Sequence, residues 1–271
     1  MKSAVAKKEI ELALAHRFGD VLRRHQKQPA EIVPTGIGEI DARLNGFPRG
    51  AITEIHGKTS SGRTTLLLSA LAAATMQEET CALVDTTDTF DLSSAANARV
   101  ECDRLLWVRC SGNLERAFKA TDLLLQSGGF GLVALNLADV AAKYTRRIIT
   151  SWWFRFRRAI ENTSTALVVV TPVACTRSCA ALVLEIKTEG PVWPNTMSFV
   201  IENNGAKLTM EGSKGDSPPH LSLVTETAQS PDRSFLPLTH ANLLQGSRVA
   251  VNQERPIAWT VEPARFRTRL H

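Results

Sequence analysis

No apolar run in the 271 residues approaches the roughly 18–20 needed to cross a bilayer, which excludes a membrane-spanning helix. The opening stretch, MKSAVAKKEIELALAHRF, carries charges where a secretory leader needs an uncharged apolar segment, so a cytoplasmic location is expected. Cysteine is sparse and unpatterned: Cys81, Cys102, Cys110, Cys175 and Cys179 form an odd set without a C-x-x-C pair. A disulfide framework and a structural zinc site are therefore not expected, and the thiols read as small buried hydrophobes. Internal repeats are lacking too. With 44% hydrophobic and 22% charged residues, wholesale disorder, collagen and a coiled-coil rod are excluded.

A net charge of +5 gives a slight bias toward an anionic partner such as nucleic acid. Three zones differ in composition. Residues 1–33 hold seven Lys/Arg against four Asp/Glu and one apolar face (Ile10, Leu12, Leu14, Phe18, Val21, Leu22), predicting a helical arm. Residues 34–211 alternate short apolar runs with helical patterns, the signature of a mostly parallel sheet covered by helices. Beyond Gly212 lie half of the twelve prolines, and burial periodicity fades, predicting a poorly ordered basic tail over 212–271. Phe235, Leu238, Trp259 and Phe266 dot that tail as anchors for a partner.

Strands are expected at 51–57, 81–86, 104–109, 130–137, 165–171 and 181–187, with helices after residue 63 and over 113–128. SFVIE and AKLTM flank Asn203-Asn204-Gly205, which predicts an antiparallel hairpin. The whole reads as one sheet of about seven to nine strands.

Gly57-Lys58-Thr59-Ser60-Ser61-Gly62-Arg63-Thr64 fits G-x-x-x-x-G-[K/R]-[ST] between a strand and a helix. Two glycines let such a loop curl its backbone N–H groups into an anion nest, and the helix N-terminus adds partial positive charge. Ser60, Ser61, Thr64 and Thr65 complete the expected phosphate contacts, with Thr64 placed to offer its hydroxyl to magnesium. Arg63 departs from the pattern. The position ordinarily needs lysine, a compact point charge, and arginine is a broad planar fork.

The run Val33–Asp41, then Gly46-Phe-Pro-Arg-Gly50, then Thr53–Gly57 and the loop, resembles the core of the bacterial RecA recombinase superfamily. Cys81–Asp85 and Phe90-Asp91 resemble its next strand and loop. The resemblance implies a RecA-like phosphate-loop NTPase fold and places the family's working groups on this chain. The water-polarising glutamate falls at Thr87, the magnesium-directing aspartate at Asn136 and the sensor glutamine at Pro172. Asp91 keeps an adenine-contacting position, whereas the stacking tyrosine three residues on is Ser94. A threonine hydroxyl is no base at neutral pH, and an amide lacks a carboxylate's charge. The site is thus expected to be degenerate, with no catalytic residue, no bound metal and no required cofactor; ATP with magnesium is the family's ligand.

Both DNA loops of the family are expected to be short here, one over 138–145 and one over 172–180. Lys143–Arg158 carries six cations and no acid. Helical spacing puts Ile149, Trp152, Trp153, Phe156 and Ile160 on a core face, leaving Arg147, Arg155 and Arg158 as an outer stripe for DNA or an acidic partner. Modest length, altered site and short loops are similar to ImuA-type mutagenesis accessory proteins. That resemblance implies a recombinase and a Y-family polymerase-like (ImuB-type) protein as partners in SOS translesion synthesis. An active DNA-dependent ATPase, with Arg63 and Asp88 standing in for the usual residues, and a RecA-related cell-division inhibitor are the competing expectations.

Overall fold

The computed structural model describes residues 31–192, 196–199, 206–211, 220–225, 246–256 and 263–269. Of the arm expected over 1–33, residues 1–30 lie outside them, and Ile32–Val33 is a short strand, not helix; the Asn203–Gly205 turn, Phe235, Leu238 and Trp259 also lie outside.

A two-stranded ribbon, β1 (Ile32–Val33) with β2 (Phe47–Pro48), brackets α1 (Gly38–Leu44). The chain then runs through β3 (Ile52–Gly57), α2 (Arg63–Met76), β4 (Cys81–Asp85), α3 (Leu92–Asn97), β5 (Leu105–Arg109), α4 (Leu114–Ser127) and β6 (Leu132–Asn136). A single turn, α5 (Ala142–Thr145), precedes α6 (Thr150–Ile160), β7 (Ala166–Thr171) and β8 (Leu182–Val192). Six of these strands lie parallel; with β12 (Gly246–Arg255) and β13 (Ala264–Arg269) at one edge, the eight-stranded sheet has the order β13-β12-β8-β3-β7-β6-β4-β5. Every strand expected over 51–187 is present to within one or two residues at its start. The architecture is an α/β fold with a mostly parallel sheet flanked by helices.

Alternate residues of these strands feed two apolar layers, as a pleat requires when both faces are covered. Ile55, Leu83, Ala134, Val168 and Leu184 face α2, whose Leu66, Leu67, Ala70, Leu71 and Ala74 fill that layer. Ile52, Val84, Val133, Leu135, Leu167 and Val169 face α4 and α6. There Phe118 of α4 meets Trp153 and Phe156 of α6 with ring centroids 5.2 and 5.6 Å apart. Trp153, Phe156 and Ile160 are fully buried as the helical spacing predicts, but Ile149 is 67% exposed. It precedes the helix in an extended conformation, so its side chain leaves the helical face.

The segment after Gly212 departs from expectation. β12 (Gly246–Arg255) pairs antiparallel with β8, and β13 (Ala264–Arg269) pairs antiparallel with β12, extending the main sheet. Val249, Val251, Ala264 and Phe266 bury into the α2 layer. Phe266, expected as a partner anchor, is a core residue. The physical reason is period-two burial: the two valines, two residues apart, carry enough apolar surface to hold β12 against β8. β9 (Thr196–Phe199), β10 (Ala206–Glu211) and β11 (His220–Thr225) form a separate three-stranded antiparallel sheet. The predicted antiparallel pairing across 203–205 is thereby observed, outside the main sheet.

Candidate phosphate-loop site

β3 is central, and its carboxyl end delivers the loop between the ends of β7 and β8, where open α/β sheets place their ligands. Two glycines fix the loop's shape. A Cβ on Gly57 would sit 2.3 Å from the Ile186 carbonyl oxygen, and one on Gly62 (φ +96°) would sit 3.0 Å from Val249 Cγ2. Ser60 is left-handed at φ +59°, and its carbonyl accepts a 2.8 Å hydrogen bond from the Thr188 hydroxyl of β8. Lys58, Ser60, Thr64 and Thr65 are exposed; Ser61 is buried, and its hydroxyl has no hydrogen-bond partner. The curled backbone and the 14-residue helix behind it, with no acid in its first turn, are those of an anion nest.

The loop's cation does not face outward. Arg63 is 5% exposed, and its Nη1 donates to the Thr171 carbonyl at 2.6 Å and to the Ala138 carbonyl at 3.4 Å. Burial lowers the proton affinity of the guanidinium below its ordinary value, a shift that nearby Asp139 opposes.

The neighbouring strand ends are equally self-contained. Asn136, at the tip of β6, donates from Nδ2 to Asp85 Oδ1 at 3.3 Å and accepts from the Ala138 N–H at 3.1 Å. Asp85 is fully buried, and its other oxygen accepts the Phe90 N–H at 2.8 Å. The Thr87 and Thr89 hydroxyls lie 3.2 Å apart, and Thr89 donates to Asp139 at 2.9 Å. Asp88 is occupied in the loop after β5: it accepts the N–H groups of Cys110 and Ser111, each at 3.1 Å, and Arg109 Nη2 at 3.3 Å. The Ser111 N–H and the Arg109 charge hold its carboxyl below the usual range. Asp91 caps α3, accepting the Ser93 and Ser94 N–H groups at 3.3 and 2.7 Å, and the Ser94 contacts depress its carboxyl. Pro172 follows β7 and is partly exposed. Among the described residues no group of three or more His, Cys, Asp or Glu side chains is arranged to hold a metal.

One residue of the site went unnoticed in the sequence. Glu54, on β3 and 1% exposed, accepts the Thr171 hydroxyl at 3.2 Å and the N–H groups of Cys175 and Thr176 at 2.7 and 3.1 Å. The Thr176 hydroxyl donates to it as well. This carboxylate shapes the connection between β7 and β8. A signal existed: an acid inside the buried run Ile52-Thr-Glu-Ile requires internal donors.

The three arginines of the expected stripe separate. Arg155 grips Asp122 of α4 through Nε and Nη2, both at 2.6 Å, while Arg147 and Arg158 are exposed and have no acidic partner among the described residues.

Residues 3–150 match the RecA N-terminal domain family. Protein RecA of a Nocardioides species is 37% identical over 132 residues, 48% of this chain and 36% of that protein. Protein RecA of Clavibacter michiganensis subsp. michiganensis is 37% identical over 153 residues, 53% of this chain and 41% of that protein. The chain thus spans well under half the length of these curated relatives. A crystal structure of the RadB recombinase superposes with a TM-score of 0.48 at 15% identity, covering 71% of this chain and 94% of that one.

Proposed function

From the premise that this chain belongs to the RecA N-terminal domain family, we propose that it is a RecA-related accessory protein whose nucleotide site no longer hydrolyses ATP. In this reading it serves damage-induced (SOS) translesion mutagenesis as an ImuA-type adaptor. Its partners are a recombinase and a Y-family polymerase-like subunit, and it works in the cytoplasm by binding, with no required cofactor.

One observation carries the reading: among the described residues, Asp85 and Asp88 at the strand ends are spent on bonds within the protein, and the exposed Asp139 accepts the Thr89 hydroxyl. Asn136 and Thr87 stand at the metal-directing and base positions, and Asn136 is spent on Asp85 and Ala138. Asp88, the stand-in base that an active enzyme would need, accepts four hydrogen bonds from residues 109–111. A carboxylate so engaged is a poor proton acceptor for water. Losing base and metal ligand together removes several kcal/mol of transition-state stabilisation on the usual scale. The basic surface at Arg147 and Arg158 suits an acidic partner or a weak DNA contact.

The test has two arms. ATP turnover is measured with and without single-stranded DNA; about one turnover per minute or faster, lost in Asp88→Asn, overturns the reading in favour of an active ATPase. Affinity purification from cells with damaged DNA is expected to recover recombinase and a polymerase-like subunit. Recovery of a cell-division protein instead points to the division-inhibitor reading.

A further inference from the structure

The family's nucleotide comes with magnesium, and the residues at this loop do not fit that pair. The metal-directing position is an amide bonded at both ends within the protein. The loop cation lies under the surface, between the carboxyl ends of β6 and β7. We infer that Arg63 is an internal plug: its guanidinium takes the place, between Ala138 and Thr171, that a metal-nucleotide would need, and so closes the loop to Mg–ATP.

The argument rests on where the charge is already satisfied. A loop cation that serves phosphate must be free to turn its protons toward it. Arg63 instead donates a 2.6 Å hydrogen bond to Thr171 O and a longer one to Ala138 O, with 5% of the residue exposed. Turning it toward phosphate breaks both bonds and leaves buried carbonyl oxygens without donors, a costly state. Thr171 is also pinned from the opposite side, its hydroxyl donating to Glu54, so the carbonyl cannot readily follow the guanidinium outward. The plug therefore acts by occupying space and by the bonds that hold it there, not by charge. The backbone nest is unaffected.

The consequence inverts the ordinary role of a loop cation: removing it should strengthen nucleotide binding. Binding of a fluorescent ATP analogue with magnesium is titrated against wild type, Arg63→Gln and Arg63→Ala, with thermal melts to confirm folding. The glutamine and alanine variants are expected to bind about tenfold tighter or better than wild type. Wild-type binding that is tight and falls in both variants overturns the inference, because the cation then faces phosphate. Absence of binding in all three folded proteins overturns it as well, because something other than Arg63 then closes the loop.

A second measurement needs no variant. In wild-type protein labelled with ¹⁵N-arginine, one set of slowly exchanging Nη protons should persist when millimolar Mg–ATP is added. Their loss on adding nucleotide overturns the plug. The inference deepens the proposed reading of this site, and the two fail separately: turnover by wild type sinks the adaptor role, whereas tight binding without turnover sinks only the plug.

Discussion

Arg155 and Asp122 are joined by two parallel hydrogen bonds of 2.6 Å that fasten α6 to α4 across the aromatic cluster. The Asp122 side chain is 9% exposed and that of Arg155 is 58% exposed, so the pair is a half-sunk clamp at the surface. Asp122 raises the proton affinity of the guanidinium further, which is always charged in any case. Arg155→Ala should lower the melting temperature by several degrees, because it leaves a nearly buried carboxylate with only Gln126 as donor. Arg147→Ala and Arg158→Ala should move it by no more than about 1–2 °C, as expected of surface positions. Thermal denaturation of the three variants checks this. Equal effects would mean that the clamp contributes nothing.

Glu54 is the buried acid on which the connection after β7 depends. Glu54→Ala leaves two backbone N–H groups and two hydroxyls without an acceptor, a loss of about 3–5 kcal/mol by the usual magnitudes. Urea unfolding should show it, and hydrogen exchange should show faster amide exchange at Cys175 and Thr176 ahead of the rest of the sheet. Glu54→Gln keeps one acceptor oxygen and should fall between the two.

The thiols divide four to one. Cys81, Cys110, Cys175 and Cys179 are buried, and Cys102 is exposed. Burial pushes the Cys81 thiol up to about 12 and raises the other three as well, keeping them protonated at neutral pH. A thiol reagent at pH 7.5 should label one site quickly, with four more appearing only on denaturation. Cys102→Ser should abolish the fast phase; a fast phase that survives it would contradict the burial of the other four.

Gly62 meets two constraints at once, a φ of +96° and Val249 Cγ2 at 3.0 Å from any added Cβ. Gly62→Ala should destabilise by about 1–3 kcal/mol. Val249→Ala in the same background removes the steric part and leaves the backbone strain. A double-mutant cycle read by urea denaturation separates the two contributions.

Acid weakens the loops around Asp88 and Asp91. The Ser111 N–H holds Asp88, and the Ser94 side chain and N–H hold Asp91, below their unfolded values, so the stability they supply is present above the ordinary aspartate range near pH 4. It is lost as pH falls through the lower folded values. The melting temperature should therefore drop below about pH 4, and Asp88→Asn should flatten part of that drop.

The parallel sheet was legible because buried central strands read as unbroken apolar runs, such as Ala166–Val170, and each is bounded by helix or turn chemistry. β12 was hidden because Ser247, Arg248, Asn252 and Glu254 interleave polar groups with its short apolar stretch. Its burial depends on β8 lying alongside, a non-local fact. The loop was equally plain, since glycine spacing determines backbone shape. The direction of the Arg63 side chain was not, because a long flexible stem chooses among acceptors contributed by β6 and β7. Arg155 parts from Arg147 and Arg158 for the same reason: helical spacing says which side a residue is on, not which neighbour waits there.

Val249 and Phe266 wall the loop at Gly62, although they lie some two hundred positions later in the chain. During synthesis the loop must therefore emerge long before its wall exists, and stay open while the rest is made. A ribosome paused before residue 249 would hold a nascent chain whose Gly62 still lacks the side chains that pack against it.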